Sequence, residues 1–194
     1  MLNISVLVSG GGTNLKAIID GIKTGRINNG RIGLVISSNP DAYALIRAEK
    51  EEIDTIVIDG RSIEDPAKRA DLMLGALEEA ETDIIVLAGY MSILPVSIVK
   101  KYEKRIINIH PSLIPKHCGK GYYGKKVHES VLASGDDESG ATVHFVDEGV
   151  DTGDIIIQEK VKVKKDDTAE TLAARVLKVE HSILIKAINK IIDN

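Results

Sequence analysis

VLVSGGGTNLKAI (residues 6–18) runs from an apolar β-branched segment through three consecutive glycines into residues at helical spacing. A strand, a tight turn and a helix start in that order open a β–α unit, and the fold follows from whether the unit repeats. It does. NISVLV, IGLVIS, TIVI, DIIVLA and RIINI are short β-branched runs that read as buried strands. Between the first two, Leu15, Ile18, Ile19 and Ile22 fall on one helical face. A second helix is expected over residues 41–50. A third is marked by Asp65 as cap, Pro66 in the first turn, and Ala67, Ala70, Leu74 and Leu77 as its apolar stripe. This alternation predicts an α/β fold: a doubly wound, mostly parallel sheet of Rossmann-like type, with helices on both faces.

The pattern changes after Ile109. HPSLIPKHCGKGYYGKK (110–126) is a Pro/Gly-rich loop, VHESVLASG a short helix, and ATVHFV and GDIIIQEKVKV two strands separated by the turn-rich DEGVDT. An antiparallel hairpin attached to the parallel sheet is expected. Asp167 with Glu170 three residues on resembles a capping box, opening a long final helix with Leu172, Val176, Val179 and Ile183 on one face. With no repeat, low-complexity tract or linker, residues 1–194 read as a single domain with two lobes, 1–105 and 106–194.

Composition narrows the function. The chain has 194 residues, 43% hydrophobic, enough to bury a core without staples. Its one cysteine, Cys118, rules out an intramolecular disulfide and a Cys-based zinc site, so a reducing, cytoplasmic setting is expected. No basic flank opens the chain, and no apolar run approaches the ~20 residues that span a bilayer. A net charge of −4 with both signs interspersed argues against nucleic acid. Small molecules are the expected partners, with no membrane and no nucleic acid.

The glycine loop aims backbone N–H groups and a helix N-terminus at whatever sits above it. A dinucleotide fingerprint needs a further glycine where Leu15 stands, and a P-loop needs Gly-Lys-Ser/Thr, so the loop suits a single phosphate with Gly11, Gly12, Thr13 and Asn14 around it. A plain strand-to-helix turn explains the glycines equally well. Further on, NIHP puts Asn108 and His110 two apart in a strand, hence on one face, and Pro111 ends the strand at the carboxyl edge where open parallel sheets bind ligands. An amide donor beside an imidazole suits a carbonyl that becomes an oxyanion. Asp151 in GVDTGD, flanked by Gly149 and Gly153, is the candidate to orient and charge His110. Taken singly, each residue also fits an ordinary turn or strand-end role.

NIHPSLIPK, GATVHFVDEGVDTGDII and VLVSGGGTNL together resemble the phosphoribosylglycinamide formyltransferase family over essentially the whole chain. The resemblance implies transfer of the formyl group of 10-formyltetrahydrofolate to the amine of glycinamide ribonucleotide in purine biosynthesis, with no metal. It implies Asn108, His110 and Asp151 as the catalytic set, the glycine loop for the ribonucleotide phosphate and Glu180 for the ribose hydroxyls. Met91, Ser92, Ile93 and Leu94, with Asn108, Val146 and Asp147, would form the folate pocket. The halves 1–105 and 106–194 then become phosphate-binding, and catalytic and folate-binding. The chain departs from the family at Ser92, where many members carry arginine, and Lys68 or Arg69 is the candidate to meet the folate tail. His117 and Cys118, without further ligands, make no metal site. The loop 117–126 is a candidate lid, and a monomer or homodimer is expected. Rival readings are a formyltransferase for methionyl-tRNA or an amino-sugar nucleotide, a formyltetrahydrofolate hydrolase, and a non-catalytic nucleotide-binding module. The first of these would need a further C-terminal domain and a basic surface, and the last leaves Asn108, His110 and Asp151 without a purpose.

Overall fold

In the computed structural model, which describes residues 1–193, the apolar runs pair into one seven-stranded sheet. Its elements are β1 (Leu2–Val8), α1 (Thr13–Lys23), β2 (Gly30–Ser37), α2 (Tyr43–Glu49), β3 (Thr55–Val57), α3 (Pro66–Glu79), β4 (Ile84–Leu87), α4 (Val96–Lys101), β5 (Ile106–His110), α5 (Lys125–Ser134), β6 (Glu138–Phe145), β7 (Ile155–Lys162) and α6 (Ala169–Ile192). The strand order is β3-β2-β1-β4-β5-β6-β7. The first five strands are parallel, and β6 and β7 add on antiparallel. After β1 the chain winds outward to β2 and β3, then returns to lay β4 on the other side of β1. That reversal opens a crevice at the carboxyl ends of β1 and β4.

The period of two along each strand sorts side chains into two cores. In β1, Ile4, Val6 and Val8 join the core that contains α1 and α6, while Leu7 joins the one that contains α3 and α4. In β5, Ile107 and Ile109 go to the first core and Ile106 to the second. Strands covered on both faces must be apolar throughout, which is why these runs do not alternate in sequence.

Three details differ from the sequence reading. In α3, Asp65 caps as expected, its carboxylate accepting from Ala67 N at 2.9 Å. The buried stripe, however, runs through Met73 and Leu77, and Ala67 is exposed, because the sheet takes the longer Met side chain and leaves alanine outside. In α6 the cap is Thr168, one residue later than expected. Thr168 Oγ1 accepts from Thr171 N (3.3 Å), and Thr171 Oγ1 accepts from Thr168 N (2.9 Å). Asp167 is drawn instead to Lys164 N (2.7 Å) and Arg175 Nη1 (2.7 Å), and Glu170 pairs with Lys125 at 2.5 Å. Finally α4, opened by Pro95, has only six residues, too few for a helical period to show in the sequence. Among the described residues, no helix is long and apolar enough to cross a membrane.

The reciprocal Thr168–Thr171 cap predicts that Thr168→Ala lowers unfolding free energy by about 1 kcal/mol, read as a lower urea midpoint at unchanged slope. Glu170→Ala, at an exposed ion pair, should leave the urea midpoint nearly unchanged in the same titration.

Candidate functional site

The turn between β1 and α1 is built around Gly12. Its φ of 68° is left-handed, and a Cβ there would lie 2.6 Å from the Ala44 Cβ, so only glycine fits. The loop is fastened to α2 by Ala44 N donating to Gly10 O (3.0 Å) and Arg47 Nε donating to Gly11 O (2.8 Å). Around Gly10 and Gly11 a Cβ would meet nothing within 4 Å, so this backbone is open to a ligand. No side chain caps α1, which leaves the donors of its first turn for an anion. Asn14 Nδ2 donates to Glu180 Oε2 at 2.9 Å, bringing α1 and α6 together at the end of the loop. Burial raises the Glu180 carboxyl above its ordinary range, opposed by the Asn14 donor.

From this loop a cleft of about 970 Å3 runs along the carboxyl edge of the sheet. Its floor is tied across the crevice, because Met91 N donates to Ser9 Oγ (2.8 Å) and Ser9 Oγ bonds Ser38 Oγ (2.6 Å). One end is polar, with Gly10–Asn14 and Glu180. The other is apolar, lined by Leu87, Met91, Ile93, Leu94, Val146 and Val150. Met91 is 57% exposed and Ile93 87%, which is anomalous for core but apt for a rim that receives a flat apolar ring. Leu94 is buried in the α3/α4 core.

The same cleft holds a cluster of four polar side chains. Asn108 and His110 leave β5 on the same face, as the strand period requires. Asn108 Nδ2 lies 3.3 Å from Asp151 Oδ1, and His110 Nδ1 lies 3.6 Å from Asp151 Oδ2. His144, paired with Asn108 in the antiparallel β5–β6 register, brings Nε2 to 3.1 Å from Asn108 Nδ2 and 3.5 Å from Asp151 Oδ1. The His144 Nδ1–H donates to Phe145 O at 2.7 Å, so Nε2 accepts from Asn108 in the neutral ring and donates to Asp151 in the charged one. Asp151 itself has a φ of 57°, a left-handed turn that costs about 1–2 kcal/mol for a residue with a Cβ. Gly153 makes the turn possible, since a Cβ there would fall 1.9 Å from Phe145 O.

Burial pushes the His110 imidazole below the ordinary histidine value, against the Asp151 charge and the His117 carbonyl, which favour the protonated ring. For Asp151, burial works upward, but hydrogen bonding with His144, the His110 charge and the Gly119 N–H together hold it below the usual carboxylate range. The cluster thus pairs a buried imidazole with an ionised carboxylate, beside an amide donor. Chemically, that set can bind a developing oxyanion and move a proton.

The structure brings together in one cleft Asn108, His110 and Asp151, the polar group Gly11, Gly12, Thr13, Asn14 and Glu180, and Met91, Ser92, Ile93, Leu94, Val146 and Asp147. Asp147 is exposed and bonds Gly149 N (2.9 Å) and Thr152 Oγ1 (2.6 Å), shaping the turn that presents Asp151. Neither Lys68 nor Arg69 lines the cleft, and Arg69 is spent on the carbonyls of Ile63 and Glu64. Two residues were not foreseen. His144 looked like part of an apolar strand, and its only sequence signal is a polar residue inside ATVHFV. His128, 4% exposed on α5, also lines the cleft, and its Nδ1 has no partner among the described residues. Among the described residues no group of three His, Cys, Asp or Glu is placed to hold a metal ion.

A family model described as formyl transferase matches residues 2–188. Phosphoribosylglycinamide formyltransferase of Haemophilus influenzae is 40% identical over 183 residues, which cover 94% of this chain and 84% of that protein. The chloroplastic enzyme of the same name from Vigna unguiculata is 40% identical over 185 residues, 95% of this chain; there the match spans 59% of the relative's length. The crystal structure of glycinamide ribonucleotide transformylase 1 from Symbiobacterium toebii superimposes with a TM-score of 0.91 at 40% identity, covering 97% of this chain and 86% of that one.

The depressed Asp151 pKa makes a signed prediction. Its contribution to stability is complete above the ordinary value of 3.8 and is lost as pH falls through the lower native value. Asp151→Asn should therefore flatten the fall of unfolding free energy below about pH 4, measured by urea titrations on either side of that pH. An acid limb as steep as that of the wild type would contradict the assignment.

Proposed function

The chain belongs to the formyl transferase family, among its phosphoribosylglycinamide formyltransferases, and from that premise we propose that it transfers the formyl group of 10-formyltetrahydrofolate to the amine of 5′-phosphoribosylglycinamide, a step of purine biosynthesis. One observation carries the reading: Asn108, His110 and Asp151 meet in a cleft that they share with an open glycine loop and with an exposed apolar loop. The polar end, with an uncapped helix start and the Asn14–Glu180 pair, suits a phosphorylated sugar. The apolar end suits the pterin ring, and the reacting groups of the two substrates would meet at the cluster between them.

The chemistry needs no enzyme nucleophile, because one substrate brings its own amine. The amine nitrogen attacks the formyl carbon, and the carbonyl oxygen becomes an oxyanion. Asn108 donates to it and the charge of protonated His110 stabilises it, the ring N–H groups being turned to His117 O and Asp151, while Asp151 holds His110 and assists passage of the proton from the attacking nitrogen to N10 of the folate as the C–N10 bond breaks. Both Asn108 amide hydrogens are engaged in this structure, one by His144 at 3.1 Å and one by Asp151 at 3.3 Å. The longer contact is the weaker, so it is the one that yields a hydrogen to the oxyanion.

The reading is tested by following deformylation of 10-formyltetrahydrofolate spectrophotometrically with and without the ribonucleotide. Turnover that requires the ribonucleotide is expected. Turnover without it would make the protein a hydrolase, and bound folate without turnover would redirect the search to another amine. Asn108→Ala should lower kcat by about 10²–10³, the usual cost of one oxyanion donor. His110→Ala and Asp151→Asn should each remove most turnover while circular dichroism stays native, and wild-type-like rates in either would sink the mechanism.

A further inference from the structure

His117 has no part in the reaction just described, yet both of its ring nitrogens are bonded. Nδ1 lies 2.8 Å from Ser130 Oγ and Nε2 lies 2.9 Å from Asp136 Oδ2. Asp136 in turn accepts from Lys116 Nζ at 3.0 Å. The backbone of His117 is left-handed, with φ 51°. A residue with a Cβ stays in that region only where its surroundings over-determine it, and here the clamped ring does so.

The conformation has a use. It turns the His117 carbonyl to 3.0 Å from His110 Nε2, and two residues later the Gly119 N–H donates to Asp151 Oδ2 at 2.9 Å. One short turn thus holds His110 by the nitrogen that does not face Asp151, and Asp151 by the oxygen that does not face Asn108. A carbonyl can only accept, so in the neutral ring the His110 proton sits on Nε2. Any proton that His110 gains must then arrive at Nδ1, the atom facing Asp151 at 3.6 Å.

We propose that His117, gripped by Ser130 and Asp136, is a positioning residue for formyl transfer: it fixes the 117–119 turn that sets the His110 tautomer and the Asp151 orientation. This rests on the catalytic assignment above. Nothing else in the loop performs the same task, since Lys120, Tyr122 and Tyr123 face the cleft without bonding to either catalytic side chain.

The test uses His117→Phe, which keeps a ring and removes both nitrogens, together with Asp136→Ala and Asp136→Asn. Asn keeps an acceptor oxygen for His117 Nε2–H, so it is the conservative rescue. In substrate-free, 15N-labelled protein, the His110 ring nitrogens, assigned with His110→Gln, report the tautomer. Wild type and Asp136→Asn should show Nε2–H, and His117→Phe and Asp136→Ala a mixture of tautomers. In turnover, His117→Phe and Asp136→Ala should lose about tenfold or more in kcat, with KM for both substrates moved less than about threefold. Asp136→Asn should stay within about threefold of wild-type kcat. An unchanged His110 tautomer with wild-type kcat overturns the proposal, and so does a raised KM at constant kcat, which would make the turn a binding loop only. If His117→Phe fails to fold, the Asp136 pair decides. If the wild type shows no formyl transfer, the functional reading fails by itself, while the ring-nitrogen spectra still decide whether His117 positions His110.

Discussion

A carboxylate held under a cleft must be matched by donors, or it takes up a proton and ceases to be a charge. Asp151, with a side chain 10% exposed, meets this from three separate parts of the chain: the Asn108 amide on β5 and the Gly119 N–H in the long loop donate to it, and the rings of His110 on β5 and His144 on β6 stand beside it and match its charge when protonated. Its own position depends on a left-handed turn between β6 and β7 that Gly153 allows. The β5–β6 register, the β6–β7 turn and the 117–119 turn are therefore bound into one electrostatic arrangement. A shift in any of them would leave a buried charge short of a partner, which is a strong reason for the antiparallel extension to be held as firmly as the parallel sheet.

That dependence explains what the sequence could and could not show. The parallel sheet was legible because strands buried on both faces are continuous apolar runs, and the Asn108–His110 pair because residues two apart in a strand share a face. His144 was not, because its contact with Asn108 comes from an antiparallel register between residues 36 apart in the chain. No local pattern encodes that pairing. The α6 cap was misplaced by one residue for a related reason. Asp167 and Thr168 are both capable caps, and the choice is made by Arg175, two turns along the helix, which takes the Asp167 carboxylate for itself. Local chemistry proposed two answers and a distant residue decided between them.

The cleft gains its two-ended character from the same topology. Because β4 returns beside β1, the loops after both strands face each other, and the Met91–Ser9–Ser38 hydrogen bonds tie one to the other. The loop after β1 is glycine-rich and tightly fixed to α2, so it offers backbone donors and no side-chain bulk. The loop after β4 carries Met91 and Ile93 outward and offers apolar surface. A molecule bringing phosphate and one bringing a flat ring would each find its own end, and the distance between the ends need not be set by either.

The remaining polar atoms of the cleft bear on how tightly a ligand could be held. Asn14 Oδ1 and His128 Nδ1 are buried and have no partner among the described residues, and both residues line the cleft. Folding has already removed these atoms from bulk solvent, and an unmatched buried polar atom costs about 1–3 kcal/mol. A ligand donor that reaches Asn14 Oδ1, or a group that complements the His128 tautomer, recovers part of that cost, so binding is favoured by groups that complete the hydrogen bonding and not merely by groups that fit. Asn14 illustrates the point: its amide nitrogen is committed to Glu180 at 2.9 Å, which orients its oxygen as a buried acceptor beside the glycine loop. The same pair keeps the buried Glu180 supplied with a donor, so that the orientation of the Asn14 amide and tolerance of a buried acid come from one contact.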